Sequence, residues 1–435
     1  MEQPTVFPSP QQVAWADCEI GVIIHQDLTT YLPDRYDIFA HFGDPPPVEV
    51  FAPTALDTDQ WLAVAKSAGA KYAVLVAKHC TGFSLWPTDA HDYSVKNAPC
   101  SEDVVGAFIR SCQKYGLRPG IYCSLSYNLL YNVEHGAVRD GDPEKQKQYN
   151  EMCLRQLTEL WTRYGRLFEI WFDGGVLPVE QGGPDVVGLL HRLQPDAVVF
   201  QGPPGTRSLL RWCGNERGIA AEDCTSLFRL QGRREEGITE TGDFGDPEGD
   251  TWAPAESDTP NRDNARAYST GWFWQPGEDD TVKPAEQLFD IYLSSVGRNS
   301  NLLLGMVIDN RGLCPDADTR EFARFGAMVQ ATFGQPLAEA HPASPFTVEA
   351  PAGTAPGYAA IAEDIRQGER IRQYVLHGLD DAGQEIYTHA GRIIGHKRLL
   401  PLPDGVRRVT LEITQCHGEP QLRFLRLYPA AAHAC

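Results

Sequence analysis

The chain has 435 residues, 42% of them hydrophobic, and its 58 Asp and Glu against 38 Lys and Arg give a formal net charge of −20. So acidic a protein would repel a phosphate backbone, which argues against nucleic acid as a partner. Because no apolar run approaches the roughly 18 residues of a membrane span and the N-terminal MEQPTVFPSP has no basic residue ahead of an apolar core, we expect no membrane contact and a cytoplasmic location.

Short β-rich runs alternate along the chain with segments of helical period. The runs are IGVII at 20–24, YAVLVA at 72–77, PGIYCS at 119–124, LFEIWF at 167–172 and AVVFQ at 197–201. One helix is predicted from Ser101 to a stop at Gly116, and another from the cap Asp142-Pro143 to Gly165. Near-continuous apolar strands joined by helices predict a parallel sheet covered on both faces, and specifically an α/β barrel of the (β/α)₈ type.

Beyond residue 334 the pattern changes to alternation with period two between turn residues, with no convincing helix. It is clearest in RIRQYVLHGL, RRVTLEITQ and LRFLRLYP. We therefore predict two domains, a (β/α)₈-like barrel over residues 1–334 and a C-terminal antiparallel β-sandwich over residues 335–435.

The 11 cysteines include no C-x-x-C pair, and their odd number cannot be fully bridged within one chain. Free thiols in a reducing compartment therefore fit better than a disulfide framework, and a zinc site is not expected.

Three polar residues follow apolar strands and stand out as candidate site residues. His25 follows GVII, His79 follows YAVLVAK, and Asp173 follows EIWF and precedes two glycines. In a parallel barrel the carboxyl ends of the strands meet at one face, where the chemistry takes place. Taken singly, Asp173 has an alternative interpretation as a turn residue, and each histidine has one as a structural residue.

Four blocks resemble the retaining α-L-fucosidases of glycoside hydrolase family 29. They are AKYAVLVAKHCTGFSLWPTDAHDYSVKNAP at 70–99, IWFDGG at 170–175, RWCGNE at 211–216 and SVGRNSNLLLG at 295–305. Matching blocks cover most of residues 15–330 in the family's order. The resemblance implies a barrel followed by a β-sandwich, a fucosylated oligosaccharide as substrate, and no metal or organic cofactor.

The resemblance also implies a double displacement through a covalent fucosyl-enzyme. Such a reaction needs two carboxyl groups about 5–5.5 Å apart, one ionised to attack and one protonated to release the leaving oxygen. Asp173 matches the family's nucleophile. Glu216 matches the acid/base of the subgroup that prefers α-1,3/4-linked fucose, while Glu256 in APAESD and Glu222 in AAEDC remain competing candidates.

Substrate contacts follow from the same resemblance. His25 and His79 match histidines that bind fucose hydroxyls, and Tyr127 lies where a family tyrosine reaches the site. Glu256 is also a candidate contact. Trp86 and Trp171 are candidates for the apolar face and methyl group of the sugar, with a core position as the alternative for each.

The sequence departs from the family at one block. Where the family reads K-H-H-D-G-F, this chain has Cys80 and Thr81 in place of the second histidine and the aspartate. The leading hypothesis is a retaining exo-α-L-fucosidase acting on α-1,3/4-linked, Lewis-type glycans. The alternatives are a broad-specificity fucosidase that also accepts α-1,2 and aryl fucosides, and a non-catalytic fucose-binding protein.

Overall fold

The computed structural model describes residues 6–32, 35–229, 243–341 and 343–431. Within these ranges, eight parallel strands form a closed barrel in which each strand pairs with its neighbours in the chain. They are β1 (Ile20–His25), β2 (Tyr72–Lys78), β3 (Arg118–Cys123), β4 (Glu169–Trp171), β5 (Val198–Phe200), β6 (Leu209–Trp212), β7 (Ala255–Pro260) and β8 (Ser300–Val307). The predicted barrel is confirmed, and the five β-rich runs of the sequence correspond to β1–β5.

Helices lie around the barrel, mostly in the connections between its strands. They are α1 (Pro10–Ala16), α2 (Thr58–Ser67), α3 (Val104–Tyr115), α4 (Pro143–Arg163), α5 (Val186–Leu193), α6 (Ala285–Ser295) and α7 (Asp316–Phe333). Short 3₁₀ turns occur at Leu28–Tyr31, Ile38–Ala40, Val48–Val50, Val95–Asn97, Val179–Gln181, Tyr268–Gly271, Asp279–Thr281 and Ile365–Gln367. Residues 201–208 join β5 to β6 without a helix, which is a departure from regular alternation.

Local capping explains where two helices begin and end. The α3 helix is capped by Asp103 and not by the predicted Ser101, because the Asp103 carboxylate accepts a hydrogen bond from the Gly106 backbone N–H. Its C-cap is Gly116, whose φ of 71° is left-handed. The α4 helix is capped by Asp142 as predicted, since that side chain accepts from the first-turn backbone N–H groups.

Alternation along each strand separates two apolar clusters. On β4, Ile170 packs outward with the cluster between strands and helices, whereas Trp171 belongs to the cluster inside the barrel. Phe172, directly after the strand, returns to the outer cluster. The period of two therefore stacks residues 169, 171 and 173 along the inner face, from the lower part of the barrel to its mouth.

The C-terminal region forms two four-stranded antiparallel sheets, which confirms the predicted β-sandwich. Their strands are β9 (Ala338–Glu339), β10 (Thr347–Glu349), β11 (Pro356–Glu363), β12 (Ile371–Leu379), β13 (Glu385–Gly391), β14 (Arg398–Pro401), β15 (Arg408–Cys416) and β16 (Leu422–Pro429). One sheet has the order β9-β16-β11-β14 and the other β10-β15-β12-β13. The division at residues 334/335 stays a prediction; it falls between the end of α7 and the start of β9.

Polar groups connect the sandwich to the barrel. The buried Glu369 carboxylate accepts hydrogen bonds from the Ser226 backbone N–H at 2.8 Å and from the Asn299 amide at 2.7 Å. Arg398 on β14 pairs with Glu222 in the segment that follows β6. The sandwich therefore contacts the connection between β6 and β7, and the start of β8.

The described residues contain free cysteines, no membrane-spanning helix and no metal-binding cluster. The ten cysteines found there are all free thiols. None of the described helices combines the length and apolarity that crossing a bilayer requires. The same residues contain no group of three His, Cys, Asp or Glu arranged to hold a metal ion. The cytoplasmic location stays a prediction.

Candidate active site

A cavity of about 330 Å³ opens at the carboxyl ends of the barrel strands. Its wall includes residues from or just after β1, β2, β3, β4, β5, β6 and β7. Six of the predicted site residues line this cavity, together with residues that the sequence did not single out. The predicted ones are His25, His79, Tyr127, Trp171, Asp173 and Glu216.

Asp173 lies two residues beyond β4, at the start of a turn. Gly174 follows with φ of 66°, and a Cβ built there would meet the Ser126 Oγ at 2.9 Å, so the turn requires glycine. The Tyr122 hydroxyl donates to Asp173 Oδ2 at 2.9 Å. Burial raises the pKa of Asp173, with the charge of Glu216 adding to it, and the Tyr122 hydrogen bond opposes the rise. One carboxylate oxygen is thus oriented by Tyr122 while the group faces the cavity.

Glu216 lines the same cavity from the loop after β6. The buried Asn215 shapes this loop, because its side chain accepts from the Arg217 backbone N–H at 3.0 Å and donates to the Ile219 carbonyl at 2.8 Å. The Asn264 side-chain amide donates to the Glu216 backbone carbonyl at 3.1 Å. In the RWCGNE block, Asn215 therefore fixes the backbone of the loop, and Glu216 places a half-buried carboxyl group in the cavity wall.

Asp258 on β7 is a third carboxyl group of the cavity wall, and the sequence reasoning missed it. It is 4% exposed, and its Oδ1 accepts from the Trp212 indole N–H at 2.6 Å. Burial raises the pKa of Asp258 well above its usual value, and the charge of Glu216 raises it further. The signal that was available is spacing: Asp258 lies two residues beyond Glu256, so it shares that residue's face one layer nearer the mouth.

The two histidines line the cavity, and burial favours their uncharged form. His25 ends β1 and His79 follows β2, with 6.1 Å between the ring centroids. Burial lowers the pKa of His25 well below its usual value, and burial lowers the pKa of His79 to about 4. A neutral imidazole has one donor and one acceptor nitrogen, which suits binding to sugar hydroxyls at neutral pH.

Aromatic rings form much of the remaining wall. Trp171 stacks on Phe200 with centroids 3.9 Å apart and on Tyr122 with centroids 5.2 Å apart. Trp272 packs against His25 at 4.9 Å. The pattern of the sequence had pointed to Trp171, but Tyr122, Phe200 and Trp272 carried no motif that could distinguish them from core residues.

The structure contradicts two of the predicted substrate contacts. Trp86 is fully buried outside the barrel, where its indole N–H donates to Glu159 on α4 at 2.8 Å. Glu256 is also fully buried, and its two oxygens accept from the Tyr72 hydroxyl at 2.6 Å and the Trp171 indole at 2.9 Å. Neither lines the cavity. Trp86 turns outward to α4, and the alternation of β7 places Glu256 one layer below the cavity.

Position relative to the cavity also distinguishes the three acid/base candidates Glu216, Glu222 and Glu256. Glu222 pairs with Arg298 at 2.9 Å and with Arg398 at the contact with the sandwich, away from the cavity. The fixed positions of Glu222 and Glu256 leave Glu216 as the candidate that shares a cavity with Asp173.

Comparison with known proteins gives one consistent family. Residues 8–332 match the family model described as α-L-fucosidase. The chain is 30% identical to "Alpha-L-fucosidase 1" of Arabidopsis thaliana, over 97% of this chain and 87% of the relative. A Bacteroides thetaiotaomicron crystal structure described as an α-L-fucosidase is 32% identical, with a TM-score of 0.90 over 98% of this chain and 99% of that chain. A glycoside hydrolase 29 family member from an unknown rumen bacterium is 28% identical, with a TM-score of 0.82 over 99% of this chain and 78% of that one.

Proposed function

The chain belongs to the α-L-fucosidases of glycoside hydrolase family 29, and on that premise we propose that it is a retaining exo-enzyme that releases terminal α-1,3/4-linked fucose from oligosaccharides or glycoconjugates. Asp173 is the nucleophile in this proposal and Glu216 the acid/base. The observation that carries it is that these two carboxyl groups line one cavity and that the charge of Glu216 acts on Asp173.

The first step is attack of an Asp173 oxygen on the anomeric carbon while Glu216 donates its proton to the leaving oxygen. The C–O bond to the leaving sugar breaks, and an ester between fucose and Asp173 forms. Tyr122 orients the attacking carboxylate through its hydrogen bond to Oδ2. In the second step, Glu216 takes a proton from water, the water oxygen attacks the anomeric carbon, and Asp173 is released.

The neutral histidines and the aromatic wall support binding of fucose in the cavity. His25 and His79 each supply ring nitrogens to sugar hydroxyls, and Trp171 and Trp272 provide apolar surface for C–H groups and the C6 methyl. Asp258 lies on the same wall, where burial and the charge of Glu216 raise its pKa well above the usual value and so favour the protonated form.

Linkage preference rests on the RWCGNE block that carries Glu216 and resembles the α-1,3/4-specific subgroup. The second candidate is broad specificity, favoured by the loss of the family's His-Asp at Cys80 and Thr81. A non-catalytic fucose-binding protein is not supported, since both carboxyl groups of the proposed mechanism are present at the cavity.

The test is a parallel assay of released fucose from a Lewis-type trisaccharide, 2′-fucosylated lactose and an aryl fucoside. We expect kcat/KM for the trisaccharide to exceed that for the aryl fucoside by about tenfold or more. Equal values for all three substrates would favour broad specificity. Retention is tested by adding methanol: NMR of the product is expected to show methyl α-L-fucoside, and methyl β-L-fucoside would contradict the double displacement.

A further inference from the structure

Exposed aromatic surface borders the cavity at one side of its mouth. Phe39 is 56% exposed, lines the cavity, and meets the Tyr127 ring edge-to-face with centroids 5.6 Å apart. Tyr127 lines the cavity as well, and its hydroxyl lies 3.0 Å from His135 Nδ1. We call Phe39 and Tyr127 the aromatic rim. The two other exposed phenylalanines of the described residues, Phe7 and Phe244, do not line the cavity.

The aromatic rim is held in place by its own neighbours. Ile38 is buried against Cys80 and Leu129, directly beside Phe39 in the chain. The Asp37 carboxylate caps this 3₁₀ turn by accepting from the Phe39 backbone N–H at 2.9 Å. The Gly43 backbone N–H donates to the Leu129 carbonyl at 2.8 Å, which ties the two segments of the rim together. Little conformational freedom would be lost when a ligand covers such a surface.

The aromatic rim is continuous with the cavity that contains Asp173, and this identifies the group that would bind on the rim. A glycosidase that holds fucose beside Asp173 must accommodate the group on the other side of the scissile bond at the mouth. That group is a second sugar, which has an apolar C–H face that packs well on an aromatic ring. An exposed and fixed aromatic surface is suited to such a face.

We infer that the aromatic rim is the binding site of the leaving sugar, with Phe39 as the ring on which that sugar packs. This inference rests on the proposed function and deepens it, since it names the part of the protein that recognises the aglycone. It predicts that Phe39 contributes to turnover of oligosaccharides and contributes much less when the leaving group is a single atom.

The test compares Phe39→Ala with Phe7→Ala and Phe244→Ala, whose wild-type side chains are 54% and 55% exposed. The substrates are a Lewis-type trisaccharide and α-L-fucosyl fluoride. We expect Phe39→Ala to lower kcat/KM about tenfold for the trisaccharide and by a clearly smaller factor for the fluoride, and both control variants to match wild type. Unchanged trisaccharide kinetics, or equal losses on both substrates, would overturn the subsite. Failure of the wild-type protein to hydrolyse the fluoride would instead contradict the proposed function.

A buried carboxyl group behind His79 supports a second inference from separate observations. Asp27 is 1% exposed, and its Oδ1 accepts from the Thr81 hydroxyl at 2.7 Å. The Thr81 hydroxyl also accepts from the Phe83 backbone N–H at 3.2 Å, so it is fixed on both sides. Asp27 Oδ2 lies 3.9 Å from His79 Nδ1, and both atoms are buried without a hydrogen-bond partner among the described residues.

Two buried polar atoms that face each other are costly to leave unpaired. The 3.9 Å between Asp27 Oδ2 and His79 Nδ1 is short enough for a rotation of the imidazole ring to bring the two atoms within hydrogen-bond distance. We propose that Asp27, held by Thr81, is a positioning residue that fixes the orientation of His79 through Nδ1. The carboxyl group beside His79 thus comes from the loop after β1, while position 81 itself carries only a hydroxyl.

The test removes the carboxyl group from position 27 and then places one at position 81. Asp27→Asn is expected to lower kcat/KM for the preferred fucoside about tenfold, mainly through KM, and to change the ¹⁵N shifts of His79 that report its tautomer. Asp27→Asn combined with Thr81→Asp returns a carboxyl group to the space beside His79 and is expected to recover activity and shifts. Unchanged kinetics and shifts in Asp27→Asn would overturn the proposal, as would a loss that the double variant does not recover while its thermal unfolding stays like that of wild type.

Discussion

Carboxyl groups lie at two depths of the barrel, and the two layers differ in whether their oxygens are enclosed by protein donors or face the cavity. In the lower pair, Glu169 accepts from the Trp15 indole and Glu256 accepts from Tyr72 and Trp171. In the upper set, Asp173, Glu216 and Asp258 line the cavity. Burial raises the pKa of Glu169, Glu256, Asp173 and Asp258 alike. A raised pKa therefore does not identify a reactive carboxyl group in this barrel, whereas access to the cavity does.

The same strands supply both layers. On β4 the chain passes from Glu169 through Trp171 to Asp173, and on β7 it passes from Glu256 to Asp258. A step of two residues carries a side chain from an environment closed by protein donors to one open to a ligand. Changing one carboxyl group at a time in each layer tests whether only the groups that line the cavity take part in the chemistry.

The largest effect is expected for Asp173→Gly in the upper set. Loss of the nucleophile should reduce turnover by about 10⁴-fold or more while leaving thermal unfolding close to that of wild type. Added azide should restore part of the rate by entering the vacated space, with β-fucosyl azide as the product identified by NMR. Activity like that of wild type in this variant would remove Asp173 from the mechanism.

Glu216→Ala should give the next largest loss, and its size should depend on the leaving group. General acid catalysis contributes about 10²–10⁴-fold, and only a poor leaving group needs it in full. We therefore expect a large loss on the trisaccharide and a much smaller one on an aryl fucoside with a good leaving group. Glu222→Ala is the matched control in the same connection, and a leaving-group dependence seen there instead would reassign the role.

Glu256→Ala, in the lower pair, should affect stability more than chemistry. The change leaves the Tyr72 hydroxyl and the Trp171 indole N–H buried without their acceptor, and each such group lowers the free energy of unfolding by about 1–3 kcal/mol. Chemical denaturation measures the loss, and fucose release is assayed below the melting temperature. A leaving-group dependence like that of Glu216→Ala would show that the lower layer takes part in proton transfer.

Glu169→Gln should change how stability depends on pH. Burial and the neighbouring Glu256 hold the pKa of Glu169 well above its ordinary value of 4.5, so the folded state keeps a proton that the unfolded state releases. Stability from this group is present below about pH 4.5 and is lost as pH rises towards the folded-state pKa. Gln does not ionise, so thermal unfolding should move in favour of the variant as pH rises. A pH-independent difference between the two proteins would contradict this.

Glu222→Gln should have the smallest effect. Glu222 is more than half exposed and pairs with the partly exposed Arg298 and with the buried Arg398 at the contact between the domains. Gln keeps a side-chain oxygen that can accept from these guanidinium groups, so the change removes the charge and not the acceptor, at a cost of about 1 kcal/mol. We expect unchanged kcat and a small shift in the melting temperature that decreases with added salt. A loss of activity would connect the contact between the domains with the loop that carries Glu216.

Several residues of the cavity wall could be predicted from the sequence because they follow apolar strands or lie in motifs. His25, His79 and Asp173 follow apolar runs, and Glu216 lies in a family block. Asp258 could not be found in this way, since β7 has the sequence AESDTP and lacks the apolar run that marks β1 to β5. Trp86 was misassigned because a tryptophan after a strand end can turn outward to a helix as easily as inward to the cavity. Asp27 became interesting only when folding brought it next to Thr81, 54 positions away.

The polar contacts between the sandwich and the barrel have a consequence for the evolution of the two domains and for protein engineering. Glu369, from the sandwich, holds Ser226 and Asn299, and Arg398 holds Glu222, so the contact reaches into the same connection that bears Glu216. A chimaera that joins this barrel to the sandwich of a relative would lose acceptors for buried groups unless both sides of the contact were exchanged together. The two domains of such an enzyme are accordingly expected to descend as a unit and not to be shuffled as independent modules.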